Sequence, residues 1–452
     1  MKDLTQGSIV QHIITMATPI AVGMLIQMSY QLIDIYFVGQ LGDASVAGVA
    51  SAANLGFLIL ALTQVLGVGT VALISHAVGR KDQSDANIIF NQSISMAVVC
   101  AAMTLGFGYL FGSRYITSVA ADTASRNEGI TFLFWFLPGM ALQFALVSMG
   151  SALRGTGIVQ PTMIVQALTS IINAILAPIL IAGWLTGYSM GVAGAGLATS
   201  ISVAIGVLLM YTYFTKLEHY VKLDPTQWLP KLQHWGRMLN IGLPAGGEFA
   251  LMFIYLAVIY YVIGGFGNEA QAGFGIGSRI MQAVMLPAMA IAFAAGPIAG
   301  QNFGAQISAR VKQTFYKTAM LSSLVMAVIT LLSIWRPEFF MAIFTNEEPV
   351  IEVGATFLRF ISLNFVAQGL IFTCSSMFQG LGNTKPSLLS SFTRMITFSI
   401  PTLWVATQPW FEIEHVWYLS IATVTLQALF SITLLQLEFR KRLPTLQPMP
   451  AA

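Results

Sequence analysis

Runs of about twenty apolar residues recur along the whole chain, separated by short polar stretches. About 20 apolar residues in helical form cross about 30 Å of hydrocarbon. The runs are too long and too continuously apolar for barrel strands, which alternate over about ten residues. With no water in a bilayer core to satisfy the backbone, the spans must be helices. The pattern predicts twelve, over residues 12–38, 46–77, 90–112, 130–152, 161–184, 190–214, 238–264, 272–300, 315–340, 354–378, 386–407 and 413–437.

The punctuation between the runs repeats with a displacement of 225 residues. Gly155-Thr156-Gly157 followed by Pro161 recurs as Gly380-Leu381-Gly382 followed by Pro386, and Pro19, Gly42, Ala47-Gly48 and Gly79 recur as Pro244, Gly267, Ala272-Gly273 and Gly304. One register across separated places marks an internal duplication. Each copy holds an even number of helices, so both insert the same way up and the expected axis lies along the membrane normal. The expected fold is therefore an all-α polytopic membrane protein, twelve transmembrane helices in two six-helix bundles related by a pseudo-twofold along that normal. The lobes are residues 1–225 and 226–452, joined by a polar linker over 215–237 that contains Pro225 and Pro230. A solute path is expected between them.

Composition agrees: 56% of residues are hydrophobic and 9% charged, against about 25% charged in soluble domains. The net charge of +3 matters less than its placement. Fifteen of the 21 Lys and Arg residues fall on one side of the predicted spans, from Lys2, Arg80 and Lys81 through to Arg440, Lys441 and Arg442, and three, Arg114, Arg126 and Arg336, fall on the other. Cytoplasmic loops hold the positive excess, so both termini are expected in the cytoplasm of a cell bounded by a bacterial-type inner membrane. Cys100 and Cys374 lie inside apolar runs and suggest no disulfide. No small-residue cleavage site follows the first run, so that helix is expected to remain.

Ionisable groups inside a bilayer are rare and functional by default, since a charge at its centre costs about 2.5–3.5 kcal/mol even on lenient scales. Asp34 in the first helix and Glu248 in the seventh qualify, with Arg279 and Arg394 as basic partners to consider. Gln27, Tyr30 and Gln31 precede Asp34 by seven, four and three residues, so they share its helix face. That face should avoid lipid. A rise of 1.5 Å per residue puts Asp34 roughly 33 Å along the axis, in the outer half, where desolvation favours the neutral acid and makes Asp34 a candidate proton carrier. Pro19 in the same helix removes a backbone donor and predicts a bend or hinge. Asn173, Thr199, Gln64 and Gln143 are further polar groups in apolar surroundings. No phosphate-cradling Gly-Lys-Ser/Thr loop, His-Glu-x-x-His or metal cluster is present, so neither an enzyme, a cofactor nor ATP-driven transport is expected. No nucleic acid and no ATPase subunit is expected as partner; the partners are the bilayer and small solutes, and the energy is that of a gradient.

The residues resemble the multidrug and toxic compound extrusion (MATE) family along almost the entire length. The resemblance is carried by Asp34-Ile35-Tyr36-Phe37-Val38-Gly39 before Leu41-Gly42, by Leu153-Arg154-Gly155-Thr156-Gly157, by Gln379-Gly380-Leu381-Gly382-Asn383-Thr384-Lys385-Pro386, and by Gly275-Ile276-Gly277-Ser278-Arg279. It implies a V-shaped pair of six-helix bundles that exports cationic amphiphilic compounds in exchange for protons or Na⁺. Asp34 matches the essential first-helix acid of the branch similar to the DNA-damage-inducible F (DinF) transporters, Asn173 and Thr199 its partners, and Pro19 its bending proline. Two departures stand out. Ala177 occupies the place of a second acid in helix five, and Met252 and Gln368 stand where the sodium-coupled branch has acids in helices seven and ten, with Glu248 one turn before Met252. Proton coupling through Asp34 is the simpler expectation, the alternatives being a Na⁺ site formed by Asp34, Asn173 and Thr199, or a lipid-linked glycan flippase of the same superfamily. The flippase would call for a strongly cationic cavity, toward which the chain offers only Arg279 and Arg394.

Overall fold

A computed structural model describes residues 1–120 and 122–443, and among these every regular element is helical. The first repeat contains α1 (Ile9–Gly39), α2 (Asp43–Gly79), α3 (Gln83–Val119), α4 (Thr123–Gly155), α5 (Gln160–Ile181) and α6 (Val192–Lys216). The second contains α7 (Leu232–Ile263), α8 (Asn268–Gly304), α9 (Ser308–Trp335), the short α10 (Pro337–Ala342), α11 (Glu348–Ile361), α12 (Phe365–Gly380), α13 (Lys385–Val405) and α14 (Ile413–Arg442). A 3₁₀ turn at Ser362–Asn364 joins α11 to α12, so the single span expected at 354–378 is a broken helix that starts at Glu348.

The displacement of 225 seen in the sequence reappears in the element ends. α2 begins at Asp43 and ends at Gly79, and α8 begins and ends 225 residues later; α4 and the α11–α12 pair obey the same rule. The caps explain why. Gly42 and Gly267 precede α2 and α8 with φ of 107° and 97°, a backbone region that Cβ-bearing residues avoid. The helix crossings are copied too. A Cβ on Gly48 would lie 2.6 Å from the Ser125 carbonyl oxygen and the Gly129 nitrogen of α4, and one on Gly273 would lie 3.1 Å from their counterparts in α11, Val350 and Gly354. Gly and Pro therefore mark the duplication because they sit where backbones touch or reverse. Pro138 lies inside α4, and its counterpart Leu363 is the centre of the 3₁₀ turn, so the second copy breaks at that place without a proline.

Among the described residues, eleven helical segments are long and apolar enough to cross a bilayer by length and composition. The exception among the twelve expected spans is α13, whose face is polar: Ser390 bonds Ser431 of α14 at 2.6 Å, and Ser387, Ser391 and Arg394 serve the cluster described below. Only a helix turned inward tolerates that composition in lipid.

Packing divides the chain into two compact units, Met1–Lys2 with Val22–Gly242, and Asp3–Ala21 with Leu243–Ala452. This differs from the sequence division into 1–225 and 226–452. The first part of α1 packs with the second repeat's helices and the first part of α7 with the first repeat's, and each changeover falls within three residues of a helix-interior proline, Pro19 or Pro244. Pro19 leaves α1 a single helix from Ile9 to Gly39.

In the first unit the linker is held to α3 by buried carboxamides. Asn91 donates to the Lys222 carbonyl at 2.9 Å and accepts from the Asp224 N–H at 2.8 Å, while Gln92 accepts from the Lys231 N–H at 2.7 Å and donates to the Gln227 and Leu229 carbonyls. Asp224 accepts from the Thr226 hydroxyl and N–H, which hold its carboxyl below the usual carboxylate range. The apolar core of this unit gathers Val38, Phe132, Leu137, Met140, Ala177 and Ile181. That of the second unit is built on Phe274, Phe357 and Trp417, whose rings meet at 4.8–5.9 Å.

Candidate functional site

In the first unit three helices place polar groups around Asp34. The Tyr30 hydroxyl and the Thr199 hydroxyl of α6 lie 3.2 Å apart, and Asn173 of α5 donates to Thr199 at 3.4 Å. Thr199 also donates to the Ala195 carbonyl one turn back, which fixes its rotamer. The side chains of Tyr30 and Asn173 face the Asp34 carboxyl. Asp34 Oδ1 and Asn173 Oδ1 are both buried acceptors without a donor. An orphan carboxylate oxygen is expensive in a bilayer, and a proton on Asp34 or a small cation supplies what it lacks.

The remaining first-unit candidates stand apart from this cluster. Gln27 accepts a 2.9 Å hydrogen bond from Gln166, which ties α1 to α5 one turn before Tyr30. Gln31 is exposed, and Gln64 of α2 is half-buried; among the described residues neither side chain makes a hydrogen bond. Ala177 is fully buried in the apolar core beside Val38 and Ile181, one turn after Asn173 on the same face of α5.

Glu248 has a different environment. Its carboxylate accepts from Ser387 at 2.8 Å and Ser391 at 3.5 Å, both on α13, and from Ser375 of α12 at 2.9 Å. Neither Arg279 nor Arg394 lies within 4.0 Å of a carboxylate: the ion pairs among the described residues are Arg80–Asp85, Arg237–Asp85, Arg359–Glu338 and Arg442–Glu438. Of the basic partners considered for the intramembrane acids, neither is paired with Glu248, which hydroxyls surround instead. Arg279 is exposed on α8, Met252 is 43% exposed, and Gln368 accepts from Arg394 at 3.2 Å. Serines were the residues the sequence reading missed. The signal was present in the spacing of Ser387, Ser391 and Arg394 along one face of a helix.

The serine cage makes a stability prediction. Glu248→Gln keeps an oxygen acceptor and should melt close to the parent. Glu248→Leu strands the hydroxyls and should cost roughly 1–3 kcal/mol. Equal melting temperatures for the two purified variants would show that the cage contributes nothing.

The family model MatE matches residues 19–179 and 244–405, once per repeat. The chain is 24% identical over 84% of its length, and 86% of the other chain's, to a probable multidrug resistance protein, YpnP, of Bacillus subtilis strain 168. It is 25% identical to the multidrug export protein MepA of Staphylococcus aureus strain MRSA252, covering 89% of this chain and 88% of that one. Among solved structures, an outward-facing multidrug resistance MATE family transporter of the MOP superfamily superposes with a TM-score of 0.91 at 21% identity, over 98% of both chains. A MOP superfamily transporter from Pyrococcus furiosus Vc1 (DSM3638) does so at 0.90, 21% and 98% of both.

Proposed function

The chain belongs to the MatE family of multidrug transporters, and from that premise we propose that it is an antiporter that exports cationic amphiphilic compounds in exchange for protons, with Asp34 as the coupling group. It is a transporter and not an enzyme, and it acts within the membrane on small molecules. The observation that carries the proton reading is the buried, donor-less Oδ1 of Asp34 beside Asn173 and the Tyr30–Thr199 pair. Ionised Asp34 attracts a cation. Protonated Asp34 does not, and its new O–H gains a use in a cluster that already holds an unpaired acceptor. Proton and substrate then compete for one group, which is the minimum an exchanger needs. The resemblance to the DinF-like branch rests on the same residues.

The Na⁺ reading has one observation in its favour: Asp34 Oδ1 and Asn173 Oδ1 are both unpaired oxygens, a suitable start for a hard-cation shell. The Lys and Arg asymmetry supports an inner-membrane location with cytoplasmic termini. The flippase reading fares worse, since Arg279 and Arg394 share no partner among the described residues.

Proteoliposomes loaded with a pH dye test the assignment. Adding a cationic drug to vesicles carrying an imposed pH gradient should release protons in Na⁺-free buffer. Proton movement that requires Na⁺ transfers the coupling to sodium, and uptake that follows ATP after both gradients are collapsed overturns gradient-driven exchange.

A further inference from the structure

Ile164, Leu168, Ile171 and Ile175 form an exposed apolar stripe along α5, spaced three or four residues apart. On a helix that crosses a bilayer, lipid tails are what cover such a stripe. At its far end the stripe runs into a groove of about 610 Å³ lined by Ile175, Pro178, Ile179, Trp184 and Leu185. One wall of the groove is the connection from α5 to α6, residues 182–191, which folds back over the last turn of α5 and carries no charged residue.

That connection is firmly built. The Trp184 N–H donates to the Pro178 carbonyl at 3.3 Å and the Met190 N–H to the Leu180 carbonyl at 2.9 Å, while the Gly191 N–H and the Ser189 hydroxyl both donate to the Ile181 carbonyl, at 3.2 and 2.6 Å. The Trp184 ring stands edge-on to Phe37 of α1, with centroids 6.0 Å apart. These contacts hold Leu185 at the tip with a φ of 66°, a left-handed backbone that favours Gly or Asn, and leave it 96% exposed. In water such a leucine combines backbone strain with exposed apolar surface. In lipid the second cost becomes a gain.

The surroundings agree. Tyr188 is exposed beside the tip, and Trp and Tyr are the residues that settle at the level of lipid headgroups. Five spans lie between the N-terminus and this connection, so it meets the opposite face of the bilayer. The second repeat carries the same exposure: the counterpart of Leu185 at the displacement of 225 is Trp410, exposed in the connection from α13 to α14.

We propose that this groove binds a phospholipid of the leaflet opposite the N-terminus, with one acyl chain along Ile175 and Ile179 and the ester region beside Trp184 and Tyr188. Asn173 faces Asp34 from the other side of the same helix, so the bound chain packs behind the polar cluster. The site is independent of the proton-exchange reading and stands or falls separately from it.

Bromine atoms on an acyl chain quench a tryptophan that they touch. The full chain in lipid-free detergent is titrated with phosphatidylcholine brominated toward the ester end of its acyl chain, and the emission of Trp184 is read as the difference from Trp184→Phe. That emission should be quenched saturably. Leu185→Gly removes the side chain and suits the backbone angle, so it should melt no lower than the parent. It should nevertheless need about tenfold more lipid for half quenching, the worth of one buried leucine. Leu185→Asn also accepts that angle and carries the test if the glycine variant does not fold. Leu110→Ala, on the exposed face of α3, should titrate as the parent does. The proposal is overturned if Trp184 is not quenched, if its quenching rises with lipid without saturating, if Leu185→Gly titrates as the parent does, or if Leu110→Ala loses as much. An unquenched Trp184 in a chain that sediments as a dimer would give the groove to a second copy instead.

Discussion

Asp34→Asn is expected to abolish proton-driven export while leaving the protein folded and in the membrane. One-for-one exchange of a proton for a monovalent cation is electroneutral, so each unit of pH gradient sustains about a tenfold substrate ratio. An asparagine cannot titrate over any accessible pH. The variant should therefore carry the ratio back to about unity at every imposed gradient, since each pH unit is worth only what a titrating group can transmit. The fold should tolerate the change because the side chain keeps its size, and because an amide is far cheaper in a bilayer than a carboxylate that has to be held there. Asn173 Oδ1, which lacks a donor beside Asp34, could accept from the new amide. Asp34→Glu retains a titrating group on a longer arm and should restore part of the coupling. The measurement is the steady-state ratio of a cationic dye across proteoliposomes at several imposed pH steps, read beside the melting temperature. A variant that holds the parent's ratio at each step, while Glu248→Gln loses it, would move the coupling to the second unit.

Some of this architecture was legible because the informative residues have only one reason to be where they are. A glycine at φ 107° or within 3.1 Å of a neighbouring backbone cannot be replaced freely, so Gly42, Gly48 and their counterparts preserve the register that reveals the duplication. Asp34 and Asn173 stood out for the same kind of reason, being polar in apolar runs. Gln31 and Gln64 stood out equally and lie outside the cluster, since a shared helix face fixes direction but not what the neighbouring helices offer. The serines around Glu248 were hidden, because a membrane serine can bond its own helix, as Ser202 does to the Ala198 carbonyl at 2.8 Å. Arg394 was visible as a charge, but its partners come from three other helices and no spacing in one segment announces them. The polar linker is legible as a connector, but its attachment through Asn91 and Gln92 depends on carboxamides that look like any others in α3.

The second large effect is expected at Gly242, the last residue of α7 that packs with the first unit and two residues before Pro244. A Cβ there would lie 1.9 Å from the Val65 carbonyl oxygen and 2.7 Å from its carbonyl carbon. Those atoms are backbone of α2, so no side-chain rotation relieves the overlap, and α7 and α2 must move apart. Overpacking of this kind costs about 1–3 kcal/mol or more. The two helices touch again one turn away, where a Cβ on Gly69 of α2 would lie 2.5 Å from the Met238 carbonyl oxygen of α7, so separation at Gly242 also loosens that second contact. Gly236→Val is the control. It lies on the same helix with nothing within 4 Å of the place its Cβ would take, and it makes the same change in helix propensity. Gly242→Val should lower the melting temperature and the yield of folded protein, and Gly236→Val should leave both near the parent. Equal behaviour of the two variants would mean that α2 and α7 can separate at no cost, and that their close approach does not hold this end of α7 in place.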